Sequence, residues 1–105
     1  MSIIKSVIKD EYERNIRMQK AYSNEIELLP RGSVTNKIIK GHTYHYLMYR
    51  QDGKVINKYL SPSKFDIELL KEKIERRRQL EKIVRNLKKE QREMEKYLKG
   101  TEDDG

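Results

Sequence analysis

The 105-residue chain contains no cysteine and no tryptophan, one phenylalanine and two prolines, and it has no long apolar run. Without cysteine, neither a disulfide framework nor a thiolate metal site can form, and a reducing compartment, by default the cytoplasm, is expected. The first ten residues offer only short apolar pairs broken by Lys5 and Lys9. A signal peptide needs an apolar run of about 7 to 15 residues and a spanning helix about 20, so neither export nor membrane insertion is expected. Glycine-rich phosphate loops, HExxH and GxSxG elements are also missing. The two histidines, His42 and His45, are three apart, which on a strand places them on opposite faces with no further ligand or nucleophile converging on either. A non-enzymatic protein is therefore expected, with no catalytic residue, no metal site and no cofactor.

What the chain has in plenty is charge: 39% of its residues are charged and its formal net charge is +7. The surplus is uneven. Residues 31 to 60 hold six basic side chains and one acidic, whereas residues 1 to 30 hold five of each. Residues 61 to 99 hold thirteen basic and eight acidic, and the last five residues add three acids. A one-sidedly basic segment concentrates anionic partners, of which nucleic acid is the commonest.

The length and the lack of a linker fit one domain over residues 1 to 100 followed by a polar, disordered tail at 101 to 105. Residues 2 to 29 contain no glycine or proline, and Ile4, Ile8, Tyr12, Met18, Tyr22, Ile26 and Leu29 keep to one side of a helix, interrupted by Asn15. Leu29-Pro30-Arg31-Gly32 ends that helix. Residues 33 to 40, 43 to 50 and 54 to 60 are rich in β-branched and aromatic residues and predict three strands. Asp52-Gly53 predicts a two-residue type I′ hairpin, and Lys40-Gly41-His42 a second turn. Ser61 as N-cap and Pro62 at the first helical position predict a helix over 62 to 99, with Gly100 as its stop. The fold class is then α+β, a three-stranded antiparallel sheet between two long amphipathic helices.

In the last helix Leu80, Val84, Leu87, Met94 and Leu98 fall on heptad a and d positions, with Arg77 and Gln91 interrupting. This coiled-coil-like seam needs a partner. Pairing with the first helix within a monomer is the simplest solution, and a homodimer is the next. The run Arg76-Arg77-Arg78 sweeps too much of the helix surface to meet one ligand and reads as a solvated face interleaved with Glu72, Glu75 and Glu81.

If both hairpin loops hold two residues, Tyr49 faces Ile56 and Arg50 faces Val55, and parity sorts the strands onto two faces. Val34, Ile38, His45, Leu47, Tyr49, Ile56 and Leu60 form a core face. The other gathers Thr35, Lys37, Ile39, Tyr44, Tyr46, Met48, Arg50, Val55, Asn57 and Tyr59. Tyrosines interleaved with Lys37, Arg50 and Asn57 suit nucleic acid, because cations meet phosphates and rings stack on unpaired bases. The competing reading is structural: tyrosine favours strands anyway, and the first helix could cover this face as a second core layer.

Leu29-Pro30-Arg31-Gly32-Ser33, the run from Ile39 to Leu47, Tyr49-Arg50, Gly53-Lys54-Val55 and Lys58-Tyr59-Leu60 together resemble a widespread set of short, uncharacterised bacterial and phage proteins. That resemblance spans most of the chain and implies no site residues. The hairpin pair followed by a helix is also similar to the three-stranded arm-binding domain of some tyrosine integrases, whose sheet enters the DNA major groove. This second likeness implies Tyr44, Tyr46, Arg50 and Lys58 as contacts, although no recombinase core follows. The expectation is an accessory DNA- or RNA-binding protein of a bacterium, phage or mobile element. The alternative is a protein-interaction module, such as a phage-encoded inhibitor of a host defence or regulatory protein, docking through its helices or its Tyr-rich face.

Overall fold

The structure, a computed structural model, describes residues 2–103, with side chains through residue 100. The order is α1 (Ile3–Glu27), β1 (Ser33–Ile39), β2 (His42–Gln51), β3 (Lys54–Leu60) and α2 (Ile67–Asp103). This is the α+β arrangement read from the sequence, with two helices flanking a three-stranded antiparallel sheet of order β1-β2-β3. Two compact units divide the chain: a sheet unit, Leu28–Arg78, and a helical unit made of the residues up to Glu27 and from Gln79 onward.

In the sheet unit both hairpins close with two residues at positive φ, Lys40 (49°) with Gly41 (82°) and Asp52 (52°) with Gly53 (77°). This is the type I′ turn whose twist matches that of the strands it joins. The register follows from the turns: Tyr49 pairs with Ile56 and Arg50 with Val55, while on the other side Val34 pairs with Leu47 and Lys37 with Tyr44. At the entrance to β1, Gly32 holds φ 110° and lies so close to β2 that a Cβ there would collide with the carbonyl oxygen of Met48. Leu60 and Ile74 are the buried apolar residues of this unit, and Val34 of β1 lines one cleft with Lys71, Ile74 and Glu75 of α2.

Three expectations are corrected here. The second helix begins at Ile67 rather than Pro62: the carbonyl of Ser61 accepts the N–H groups of both Lys64 and Phe65, each at 3.0 Å, closing a separate turn. Asp66 then caps the helix, its Oδ1 accepting the Leu69 N–H at 3.1 Å. Gly100 does not stop α2, which continues to Asp103; of the expected polar tail, residues 104 and 105 lie outside the described residues. Nor is the arginine run simply solvated. Arg77 donates to the Leu29 carbonyl at 2.7 Å, and Arg78 donates to the Gly32 carbonyl at 3.1 Å and to Ser33 Oγ at 2.8 Å. These bonds tie α2 to the connection after α1, whose carbonyls lie outside any helix or strand ladder.

In the helical unit Leu80, Val84 and Leu87 of the seam are buried, and Met94 and Leu98 are half-buried. On α1, Ile8, Tyr12, Met18, Tyr22 and Ile26 are half-buried, while Ile4 at the start of the stripe is exposed and Leu29 falls beyond the helix end. Asn15, the break in that stripe, is only 4% exposed. Its Nδ2 donates to the Leu87 carbonyl at 2.9 Å, and its Oδ1 accepts from Gln19 Nε2 at 2.6 Å. Gln19 Nε2 also donates to Gln91 Oε1 at 2.7 Å. The interruptions of the two helices therefore meet each other, and their polar groups are satisfied inside an apolar seam. Among the described residues no buried side-chain nitrogen or oxygen lacks a hydrogen-bond partner.

Candidate functional site

Residues paired directly across antiparallel strands point to the same face. The pairs Thr35–Tyr46–Tyr59, Met48–Asn57, Lys37–Tyr44 and Arg50–Val55 thus place Lys37, Tyr44, Tyr46, Arg50, Asn57 and Tyr59 together, as expected. Lys58 pairs with Leu47 and so points to the opposite face, where its Nζ stands 5.3 Å from the centre of the Phe65 ring. The integrase-like set of contacts is therefore split by the pleat. Odd and even positions cannot share a face, and Lys58 follows Asn57 directly.

The three tyrosines make one aromatic strip. Tyr59 lies between the other two, its ring centre 5.6 Å from Tyr46 and 6.2 Å from Tyr44, with the planes tilted by 59° and 53°. Tilted contacts at this range suit the ring quadrupole and hold the rings against each other. Lys37 Nζ sits 5.0 Å above the centre of the Tyr46 ring, a cation–π contact. Tyr59 remains 46% exposed, and the neighbouring Met48, Val55 and Ile39 are exposed as well. Arg50 and Asn57 are exposed further along the face, Arg50 about 13 Å down β2 from Tyr46 at 3.3 Å per residue. The two histidines stand on opposite faces: His42 is exposed, and half-buried His45 pairs through Nδ1 with Asn36 Oδ1 at 2.6 Å.

Charge follows the division into units. The sheet unit holds twelve basic and five acidic side chains, and the helical unit twelve of each, so the whole surplus of +7 belongs to the sheet unit. From Arg31 through Gln51 there is no carboxylate at all. The boundary runs through α2, whose residues before Gln79 belong to the sheet unit and whose later ones belong to the helical unit. The exposed apolar residues Met48, Val55 and Ile39 share the tyrosine face by strand parity, but nothing in the sequence marked them as uncovered.

The face can offer aromatic surface, apolar surface and cations. It offers no nucleophile poised against a base, and among the described residues no group of three or more His, Cys, Asp or Glu side chains could hold a metal ion. Among the described residues no helix is long and apolar enough to cross a membrane.

Searches of curated proteins and of solved structures find nothing that matches this chain. A family model does match, over residues 8–72, which takes in most of α1, the connection that follows it, the whole sheet and the first turn of α2. The expectation of an uncharacterised family is thereby met: the chain belongs to the family described as "Domain of unknown function (DUF6788)".

Proposed function

We propose that this protein is a non-enzymatic nucleic-acid-binding protein that takes unpaired bases on the tyrosine face of its sheet. The observation that carries this reading is the coincidence of two features in one unit. The sheet unit holds the entire net charge of +7, and it also carries a strip of tyrosines in which half-exposed Tyr59 packs against both Tyr44 and Tyr46. In this reading Lys37 and Arg50, at either end of the strip, meet backbone phosphates, while Tyr44, Tyr46 and Tyr59 stack on bases and Asn57 offers its amide to a base edge or a sugar. Each stacked base contributes about 1 to 3 kcal/mol. The paired helices serve as scaffold, and the heptad spacing of Leu80, Val84, Leu87, Met94 and Leu98 supports a coiled-coil-like pairing of α1 with α2.

Fluorescence anisotropy with labelled single strands of DNA and RNA, titrated across salt, tests this. Phosphate contacts release counterions, so affinity should fall steeply with salt, and Arg50→Ala should flatten the slope by about 0.7. Tyr59→Ala should weaken binding by about 1 to 3 kcal/mol without unfolding, because its ring is half exposed. Wild-type protein that binds no oligonucleotide at low salt would refute the reading.

A second reading, docking on a protein, is favoured by one observation on the helical unit. Ile8, Met18, Leu87, Met94 and Tyr97 line an open groove between α1 and α2, edged by Glu90. Methionine-lined grooves accept apolar helix faces. A salt-insensitive complex with one protein, abolished by Met94→Asp but untouched by Tyr59→Ala, would establish that reading instead.

A further inference from the structure

The β1–β2 hairpin outruns the rest of its sheet. The last residue of β3, Leu60, pairs with His45, so the pairs Lys37–Tyr44, Ile38–Thr43 and Ile39–His42 have no third strand beside them. With the Lys40-Gly41 turn they form a two-stranded arm about 10 Å long. The turn is type I′ and the ladder is continuous to its end, so the arm is a defined structure rather than a loose loop.

The composition of this arm is unusual for an exposed tip. Ile38 is 75% exposed on one face and Ile39 49% exposed on the other, while Lys37, Lys40 and His42 surround them without a carboxylate. Adjacent bare isoleucines at the end of a sheet invite aggregation, and proteins ordinarily blunt such places. An apolar point with lysines beside it matches a partner that is anionic outside and flat and apolar within. A base pair between its phosphates has that chemistry, and side chains such as isoleucine do wedge against base steps.

The arm is also continuous with the tyrosine strip. Ile39 lies on the same face as Tyr44, two pairs further out, so the end of a duplex that continues a strand stacked along Tyr46, Tyr59 and Tyr44 would meet Ile39. We propose that the β1–β2 arm caps the terminal base pair where a single strand leaves a duplex, Ile39 lying on the exposed pair and Lys37 and Lys40 on the flanking phosphates. The ligand is then a single-strand/duplex junction. This rests on the nucleic-acid reading of the face but adds a preference which that reading alone does not contain.

Three labelled probes test it at one low salt concentration: a single strand, a blunt duplex, and the same duplex carrying that strand as an overhang. The junction probe should bind about tenfold more tightly than the single strand, as one further stacked surface contributes, and the blunt duplex more weakly than either. The variant Ile39→Thr keeps a residue that suits strands at an exposed position, so it should melt like wild type, and Ile38→Thr, on the opposite face, serves as control. Ile39→Thr should reduce junction affinity to the single-strand level and leave single-strand affinity unchanged, and Ile38→Thr should alter neither. Equal wild-type affinity for junction and single strand overturns the capping role while leaving the tyrosine face intact, as does an Ile39→Thr variant that retains the preference. Equal affinity for blunt duplex and junction overturns it too, since the arm would then be entering a groove. Protein that binds none of the three, or binds anionic vesicles in their place, overturns the proposal and the reading beneath it together.

Discussion

Replacing Asn15 with alanine should destabilise the protein far more than its position on a largely exposed helix suggests. Asn15 is 4% exposed and makes two hydrogen bonds inside the helical seam, to the Leu87 carbonyl at 2.9 Å and from Gln19 at 2.6 Å. Each such bond contributes about 1 kcal/mol net, and truncating the side chain leaves unfilled space beside Leu87. Against this, Gln19 keeps its second bond, to Gln91 at 2.7 Å, and is not orphaned. The balance is a loss of about 2 kcal/mol, which for a domain near this size lowers Tm by about 10 °C. Urea denaturation followed by circular dichroism, with the exposed Asn24→Ala as control, measures it. The control should stay within about 0.5 kcal/mol of wild type. If Asn15→Ala falls inside the same range, the polar layer contributes nothing and the seam is held by its apolar residues alone.

Leu87→Asp should be harsher still, unfolding the helical unit by placing an unpaired carboxylate at a buried seam position; a cooperative wild-type melt would disprove the burial. Gly32→Ala should cost upward of about 2 kcal/mol, because its φ of 110° excludes side chains and the added Cβ meets the Met48 carbonyl; a Tm within a degree or so of wild type would mean that the connection before β1 relaxes freely. Gly53→Val has open space around it but puts a β-branched residue at φ 77°, so a loss of about 1 to 2 kcal/mol should come from the backbone alone. The two caps can be told apart directly. Asp66→Ala should cost about 1 kcal/mol and Ser61→Ala much less, and the reverse order in thermal melts would restore the earlier helix start.

What the sequence disclosed and what it withheld divide by distance along the chain. The type I′ turn at Asp52-Gly53, the pairing of Tyr49 with Ile56, and the assembly of six candidate residues on one face all follow from contacts a few residues apart, governed by turn chemistry and a period of two, whereas the first turn, expected over Lys40-Gly41-His42, closes on Lys40-Gly41. The start of α2 was misplaced because Ser61-Pro62 and Asp66 offer competing caps five residues apart, and local preference alone does not choose between them. Lys58 was misassigned for a different reason: it entered by resemblance, and the parity of the strand, legible in the same residues, already excluded it. The long-range features were out of reach. Asn15 and Leu87 are 72 residues apart, and so are Gln19 and Gln91; Arg77 reaches Leu29 across 48.

Each of those long-range partners looks like a fault when read alone: an asparagine and a glutamine breaking apolar stripes, an arginine interrupting a heptad seam. A polar residue in an otherwise apolar seam is costly unless a partner meets it, and the same cost disfavours every register in which the partner is absent. Gln19 links Asn15 to Gln91 at this alignment of α1 against α2, and shifting either helix by one turn would part Gln19 from Gln91 and break the link. Arg77 and Arg78 act in the same way within the sheet unit, where the carbonyls of Leu29 and Gly32 fix the start of β1 against α2. The breaks in the sequence pattern are thus the points that specify alignment, and the regular parts supply the burial. The tyrosine face differs from both: Tyr59, Met48, Val55 and Ile39 on it are exposed and no carboxylate occurs from Arg31 through Gln51, so neither a polar layer nor a buried apolar one is built there, and it is on this face that the proposed binding rests.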